Sequence, residues 1–378
     1  MNIDMVTPRF HPTVGGIEEA VAQLATGLKR RGHEVVIHTT KTGDLATQET
    51  WRGLDVRRYE PEMQRGYYVS RFEPKLEGEI VHLHAYAHHT NDWVIERHPN
   101  KPTFVSTHHG VDFPKGSFSA RAYHAYYNRF IGIPNLRRVT NVLVPTSFDE
   151  RRFTELGVPR ERIHVVPSGV DEAAFSSHEP LTPEGVDPKW GFLLFLGRLH
   201  EEKGLDDLLE GFRVAEIRSH LVIAGRDEGM AQACRSRAEE DRRIHVWTDF
   251  TQDEKWGLLE ACRGLVLPSR HEGQGIVVAE AWAKGKPVVC SRAGALPSVV
   301  EDGINGLLAP VGDAGALAAA MRRIVADAPL AKRLGEAGRE KAERDYHWDG
   351  IVNRVEVLYR GEGTRAERTG TPATTRAA

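Results

Sequence analysis

The chain has 378 residues, 50 basic and 53 acidic side chains, a formal net charge of -3 and 40% hydrophobic residues. That length exceeds the usual single core and argues for two domains, while the balanced charge gives no overall pull toward nucleic acid and removes it as an expected partner. Cys234, Cys262 and Cys290 are odd in number and lack metal-ligand spacing, the start MNIDMVTP carries no signal core, and no run approaches the ~20 apolar residues that span a bilayer; the expected home is the cytoplasm, with any membrane contact peripheral.

The first half alternates short apolar runs with helical patterns, as parallel strands linked by crossover helices do. IDMV leads through Thr13-Val14-Gly15-Gly16-Ile17 into a helix whose first turn holds Glu18 and Glu19. Glycines feeding a helix N-terminus leave amides that accept an anion, although a plain turn and cap uses the same residues. Ile17, Val21, Leu24, Ala25 and Leu28 share one helical face, and Arg30-Arg31-Gly32-His33 ends it. EVVIHTT then closes with His38-Thr39-Thr40 where a dinucleotide dehydrogenase needs an acid, and the first turn lacks G-x-G-x-x-G, so the redox reading fails twice.

IVHLH puts His82 and His84 on one face near His88 and His89, without the acid cluster or cysteine pair that would complete a metal site. PTFVST ends in Thr107-His108-His109-Gly110, which brings imidazole to the sheet edge where ligands collect in open α/β folds. From Phe113 to Phe148 there is no acidic residue, while Lys115, Arg121, Arg129, Arg137 and Arg138 are interleaved with Phe118, Tyr123, Tyr126, Tyr127 and Phe130. This fits a helix with a buried aromatic stripe and a solvated basic face; it also fits a surface over 113–138 that meets a phosphorylated acceptor or anionic headgroups. NVLVPT is the last strand of this half.

Pro167 to Trp190 holds four prolines and no sustained periodicity, which predicts the interdomain connection there. The second half repeats the plan with GFLLFLG, HLVIAG, RIHVWT, GLVLPS and PVVCS. After its first strand, Leu196-Gly197-Arg198-Leu199-x-x-x-Lys203-Gly204 sets two cations five residues apart, suited to a diphosphate, or simply a solvated pair near Glu201 and Glu202. GLVLPS leads into Glu272-Gly273-x-Gly275 and a helix from about Val277 to Lys284, a second anion-accepting turn. Glu280 lies about one turn inside that helix, where a carboxylate can accept from a ribose diol or only complement the helix dipole. His347 to Arg360 has an apolar helical pattern, and 361–378 has too few large apolar residues to offset its ordering entropy, so a disordered tail is expected.

Pro268-Ser269, Glu272-Gly273-x-Gly275, Glu280-Ala281 and Gly285-x-Pro287-Val288-Val289 together resemble the E-x7-E signature of retaining family 4 glycosyltransferases (glycosyl transferases group 1). Gln274 and Trp282 depart from that family's usual aromatic residue and methionine. The resemblance implies the GT-B fold: α/β, with two Rossmann-like domains whose parallel sheets face across a donor/acceptor cleft. It implies an acceptor-side domain at 1–170 with the helix at about 347–360 packing back on it, and a nucleotide-sugar domain at 171–346.

For the site, the resemblance implies donor binding by Gly15, Gly16, Arg198, Lys203, Gly273, Gly275, Ile276 and Glu280. Arg198 and Lys203 would stabilise the leaving diphosphate, Glu272 would contact the donor sugar, and His109 would approach the transferred sugar, a role His108 could exchange with it. The donor would be a nucleotide-diphosphate sugar, a UDP-sugar ahead of GDP-mannose, with no metal or other cofactor. The acceptor would be a hydroxyl on a lipid-linked, glycan or small natural-product molecule. A nucleotide-sugar hydrolase or epimerase of the same fold, and a nonenzymatic nucleotide-sugar sensor, are the alternatives.

Overall fold

The computed structural model describes residues 1–13, 15–65, 69–108 and 118–362; the expectations for His109, Lys115 and the tail from 363 onward fall outside them. The chain divides into two units, Met1–Ser168 together with the segment from Trp348, and Gly169–His347.

In the first unit, strands β1 (Asn2–Val6), β2 (Glu34–Thr40), β3 (Gln48–Trp51) and β4 (Leu54–Tyr59) are followed by a small antiparallel pair, β5 (Met63–Arg65) and β6 (Val69–Arg71). β7 (Ile80–His84), β8 (Thr103–Ser106), β9 (Asn141–Val144) and β10 (Ile163–Val165) complete an eight-stranded sheet in the order β10-β9-β8-β7-β1-β2-β4-β3. Only β3 runs antiparallel to its neighbour. The helix Gly16–Arg30 buries Ala20, Val21, Leu24, Ala25 and Leu28, the face its periodicity marks. Against that helix lies Trp348–Tyr359, through Ile351, Val352 and Val355; a Cβ on Gly27 would fall 2.4 Å from Val352 Cγ2, so the missing side chain sets how closely the two helices approach. Glu356 joins them by accepting from Arg31 at 2.9 Å and pairing with His33 at 3.1 Å.

The helix Phe118–Tyr127 does not carry the buried aromatic stripe expected of it. Tyr127 alone among Tyr123, Tyr126, Tyr127 and Phe130 is buried, and its hydroxyl is satisfied there by donating to the half-buried Asp92 at 2.7 Å.

In the second unit, β11 (Phe192–Leu196), β12 (His220–Ala224), β13 (Ile244–Trp247), β14 (Gly264–Leu267), β15 (Val288–Ser291) and β16 (Leu307–Ala309) form a wholly parallel sheet in the order β13-β12-β11-β14-β15-β16. FLLFL in β11 is buried at every position, as a strand covered on both faces must be. The segment expected to connect the domains departs from that expectation after Ser168. Val170, Ala174 and Val186 are buried in the second unit's core, and Leu181 N–H donates to Gly257 O at 3.0 Å. Its prolines punctuate the segment without removing the apolar residues between them, and those residues gain by covering the sheet.

Candidate functional site

In the second unit the strand order reverses between β11 and β14, so their following loops part to opposite faces and leave a crevice at the carboxyl ends. The two loops touch closely. After β11 the chain passes Arg198 into a 3-10 turn, Glu201–Lys203, where His200 Nδ1 accepts from Glu202 N–H at 3.2 Å. Gly204 follows at φ +67, and a Cβ there would lie 2.1 Å from the Pro268 carbonyl oxygen. Only glycine allows both that backbone angle and that approach. Arg270 N–H also donates to Glu202 O at 2.8 Å.

This contact delivers Lys203 to Glu272. Lys203 Nζ lies 2.7 Å from Glu272 Oε2, each side chain 14% exposed, and Ser269 Oγ donates to the same oxygen at 3.0 Å. The loop after β15 holds the Glu272 backbone: Ala295 N–H donates to the Glu272 carbonyl oxygen at 3.1 Å, and a Cβ on Gly294 (φ +51) would fall 2.1 Å from that oxygen. Ser291 Oγ donates to Ser269 O and ties the same loop to the turn.

Gly275 (φ +70) is the N-cap of the helix Ile276–Ala283, which begins one residue before the sequence expectation. Among the described residues a Cβ on Gly273 would meet nothing within 4 Å, so that residue leaves open space before the helix, whose first amides have no partner within it. Glu280 is buried, and its Oε1 accepts from Lys255 Nζ at 2.7 Å. Lys255 comes from the helix Gln252–Ala261 and also lies 4.3 Å from the Trp256 ring centroid. Trp282, one of the two departures from the family pattern, is fully buried with its indole N–H on Asn305 O at 2.8 Å. Gly338 makes room for it, since a Cβ there would sit 2.1 Å from Trp282 Cδ1.

Lys203 and Glu272 thus meet at the crevice of the second unit, and Gly273, Gly275 and Ile276 lead from Glu272 into the helix that carries Glu280. Arg198 shares the Lys203 loop but pairs elsewhere, its Nη1 2.5 Å from Glu228 Oε2 with 54% of the side chain exposed. Such an exposed pair holds with ~0–1 kcal/mol and releases the guanidinium cheaply. Sequence reasoning did not nominate Lys255, Glu228 or Gly294. Lys255 and Glu280 stand on different helices, and no periodicity or motif links them.

In the first unit, Gly15 is the N-cap of the helix Gly16–Arg30, and its missing side chain accommodates Glu18: a Cβ would lie 2.4 Å from Glu18 Oε2. The carboxylate therefore folds back over the helix start, where the sequence alone predicts open amides. Burial raises its pKa, against lowering contributions from its own amide and Arg9. Beyond its chain neighbours and its own helix backbone, no atom of the described residues stands within 4 Å of a Cβ placed on Gly16. A cavity of about 300 Å3 opens beside Glu18, bounded by Phe10, His11, Thr13, Trp51 and Arg52.

His108 (φ +57) has its Nε2 2.9 Å from Nδ1 of the buried His84, whose Nε2 meets no hydrogen-bond partner among the described residues. His82 stacks on His84 at 4.3 Å between centroids and bonds Tyr359 OH at 2.5 Å and Ser106 Oγ at 2.7 Å. Burial pushes His82 down to about 3 and His84 well below its ordinary value, which keeps both neutral. His109, the nominated neighbour of His108, lies outside the described residues. Among the described residues no group of three or more His, Cys, Asp or Glu side chains is placed to hold a metal ion.

Residues 14–174 match the family description Glycosyltransferase Family 4, and residues 191–327 match Glycosyl transferases group 1. Glycogen synthase of Mycobacterium tuberculosis is 27% identical across 95% of this chain and 94% of its own. The GDP-mannose:cellobiosyl-diphosphopolyprenol alpha-mannosyltransferase of Xanthomonas oryzae is 26% identical across 75% of this chain and 77% of its own. The structure of HepE from Anabaena, in complex with UDP and glucose, shares the fold with a TM-score of 0.69 and 16% identity, covering 96% of this chain and 100% of that one.

Proposed function

Because the chain belongs to glycosyltransferase family 4 and has the GT-B fold of two parallel-sheet α/β domains, we propose that it moves a sugar from a nucleoside diphosphate sugar to a hydroxyl acceptor with retention of anomeric configuration. The observation that carries this reading is the Lys203–Glu272 pair at the crevice between β11 and β14, beside the open helix start at Gly275. In the proposed reaction the bond from the anomeric carbon to the diphosphate oxygen breaks, and the bond to the acceptor oxygen forms on the same face. The leaving phosphate oxygen takes the acceptor proton, so no separate base is needed. Negative charge grows on the diphosphate as it leaves, and Lys203 and Arg198 stabilise it once they exchange Glu272 and Glu228 for phosphate oxygens.

That exchange frees Glu272 for the sugar hydroxyls. Lys255 holds Oε1 of Glu280, and the proposal assigns Oε2 to the ribose diol. The amides of Gly273, Gly275 and Ile276 face the donor, those of Gly15 and Gly16 meet its diphosphate after Glu18 swings off the helix start, and His109 orients the transferred sugar. No metal takes part. The UDP bound to HepE supports uridine as the base, and the mannosyltransferase of Xanthomonas oryzae supports keeping GDP-mannose in the test. Three free, buried thiols suit the cytoplasm, and among the described residues no helix is long and apolar enough to cross a membrane.

The test is product analysis by mass spectrometry, with each nucleotide sugar incubated with and without a panel of lipid-linked, glycan and small-molecule hydroxyls. The proposal expects glycosylated acceptor and free nucleoside diphosphate in equal amounts. Free sugar released into water at the same rate without acceptor would instead identify a hydrolase, and binding without release of either product a sensor.

A further inference from the structure

The helical run from Phe118 to Leu136 consists of the helix Phe118–Tyr127, a π turn Asn128–Gly132 and the short helix Ile133–Leu136. Buried groups fix its inner side. Tyr127 and Asn135 donate to the two oxygens of Asp92 at 2.7 and 2.9 Å, and Ile133 and Leu136 enter the core. The outer side differs. Tyr123, Tyr126 and Phe130 are 45%, 56% and 60% exposed, the three together within one short stretch of the described surface.

Spacings of three and four residues put these rings on one side of the run, and Tyr126 lies 5.0 Å from Phe130 between centroids. Arg121 and Arg129 are exposed on the same run and Arg138 just beyond its end, with the Arg129 guanidinium 5.4 Å from the Phe130 centroid. Arg137 is committed elsewhere, to the carbonyls of Gly157 and Leu156. The sequence holds no acid from Phe113 to Phe148.

Single exposed apolar residues need no explanation, but clustered aromatic rings rimmed by one sign of charge mark a contact surface. We propose that this face docks the protein on an anionic lipid surface. Tyrosine rings with polar tips sit at the depth of headgroups, a phenylalanine reaches the acyl boundary, and guanidinium groups beside them meet lipid phosphates. The stretch itself contributes no acid to oppose that contact. The inference does not rest on sugar transfer and is read without it.

The experiment is cosedimentation of the full chain with vesicles of phosphatidylcholine alone and of phosphatidylcholine mixed with phosphatidylglycerol. The protein should partition onto the mixed vesicles only, and less as salt rises. Arg121→Ser with Arg129→Ser should weaken partitioning about thirtyfold, roughly fivefold for each charge, and Tyr126→Ser with Phe130→Ser should abolish it. Circular dichroism should report unchanged folding, since all four side chains are exposed. A control pair on the second unit, Arg213→Ser with Arg237→Ser, should leave partitioning as it was. No partitioning by the wild type, equal partitioning onto both vesicles, or equal loss in the control pair would overturn the proposal; the first of these would point to an acidic protein partner instead.

Discussion

Replacing Lys203 by methionine keeps its aliphatic stem and deletes its charge, leaving Glu272 with Ser269 Oγ at 3.0 Å as its side-chain partner. Opposite charges 2.7 Å apart attract by about 6 kcal/mol at an effective dielectric near 20, and desolvation of both groups offsets part of that. Truncating one member of a buried pair costs about 3–5 kcal/mol; because each side chain keeps 14% exposure, the lower end, about 3 kcal/mol, is the expected loss in urea unfolding. The catalytic consequence is separate. If Lys203 stabilises the departing diphosphate, kcat at saturating donor should fall by about 10²–10³.

The double variant Lys203→Met with Glu272→Gln separates the two effects. It leaves no unpaired charge, so most of the stability should return, while kcat stays low because nothing replaces the ammonium. A double variant that recovered kcat along with stability would refute the reasoning, as would a Lys203→Met single variant with wild-type kcat.

Gly294→Ala, measured by transfer rate and circular dichroism, should lose about a hundredfold in rate with the fold intact, since its Cβ would fall 2.1 Å from the Glu272 carbonyl and an ångström of misplacement is enough. Acid should destabilise the first unit through neutral buried histidines: the folded pKa values of His82 and His88 are lowered to about 3 by burial, so the stability they bring is complete above the unfolded value near 6.5 and is lost as pH falls. At about pH 5 each should cost ~2 kcal/mol, and His88→Asn should flatten the unfolding profile by that amount. Asp92 titrates the other way. Burial raises it to about 6, against hydrogen bonds from Asn135 and Tyr127 that lower it, so its stabilising protonated form is complete below about pH 4 and lost as pH rises through 6. Asp92→Asn should therefore gain about 3 kcal/mol over the wild type between those limits, read as the difference of the two unfolding curves.

The alternation of apolar runs made the α/β class legible, and the periodicity of Ile17 to Leu28 marked the buried face of the first helix. Strand order was not legible, because hydrophobic patterns carry no information on which strands pair, and it is the reversal between β11 and β14 that locates the crevice. Strands β3, β4, β5, β6, β10 and β16 escaped notice; β4 sets Asp55, Arg57 and Arg58 among its apolar residues, and the others are only three or four residues long. Proline density at 167–190 suggested a connection where Val170, Ala174 and Val186 were free to cover a core. In the site, Lys203 and Glu272 stood out as charges beside glycines at strand ends, yet their direct contact depends on Gly204 lying against Pro268, and Lys255 reaches Glu280 only through the packing of two helices. Aromatic composition at 118–130 could not tell which rings face inward, since the contact of Tyr127 with Asp92 joins residues distant in sequence.

Thermal unfolding with a panel of UDP-, GDP- and ADP-sugars, on the wild type and Glu280→Ala, tests the central claim most directly. A ligand held at a hundred times its dissociation constant should add about 2.7 kcal/mol of stability. The account predicts a raised midpoint for one base with the wild type and none with the variant; no shift with any nucleotide sugar, or the same shift in both proteins, would contradict it.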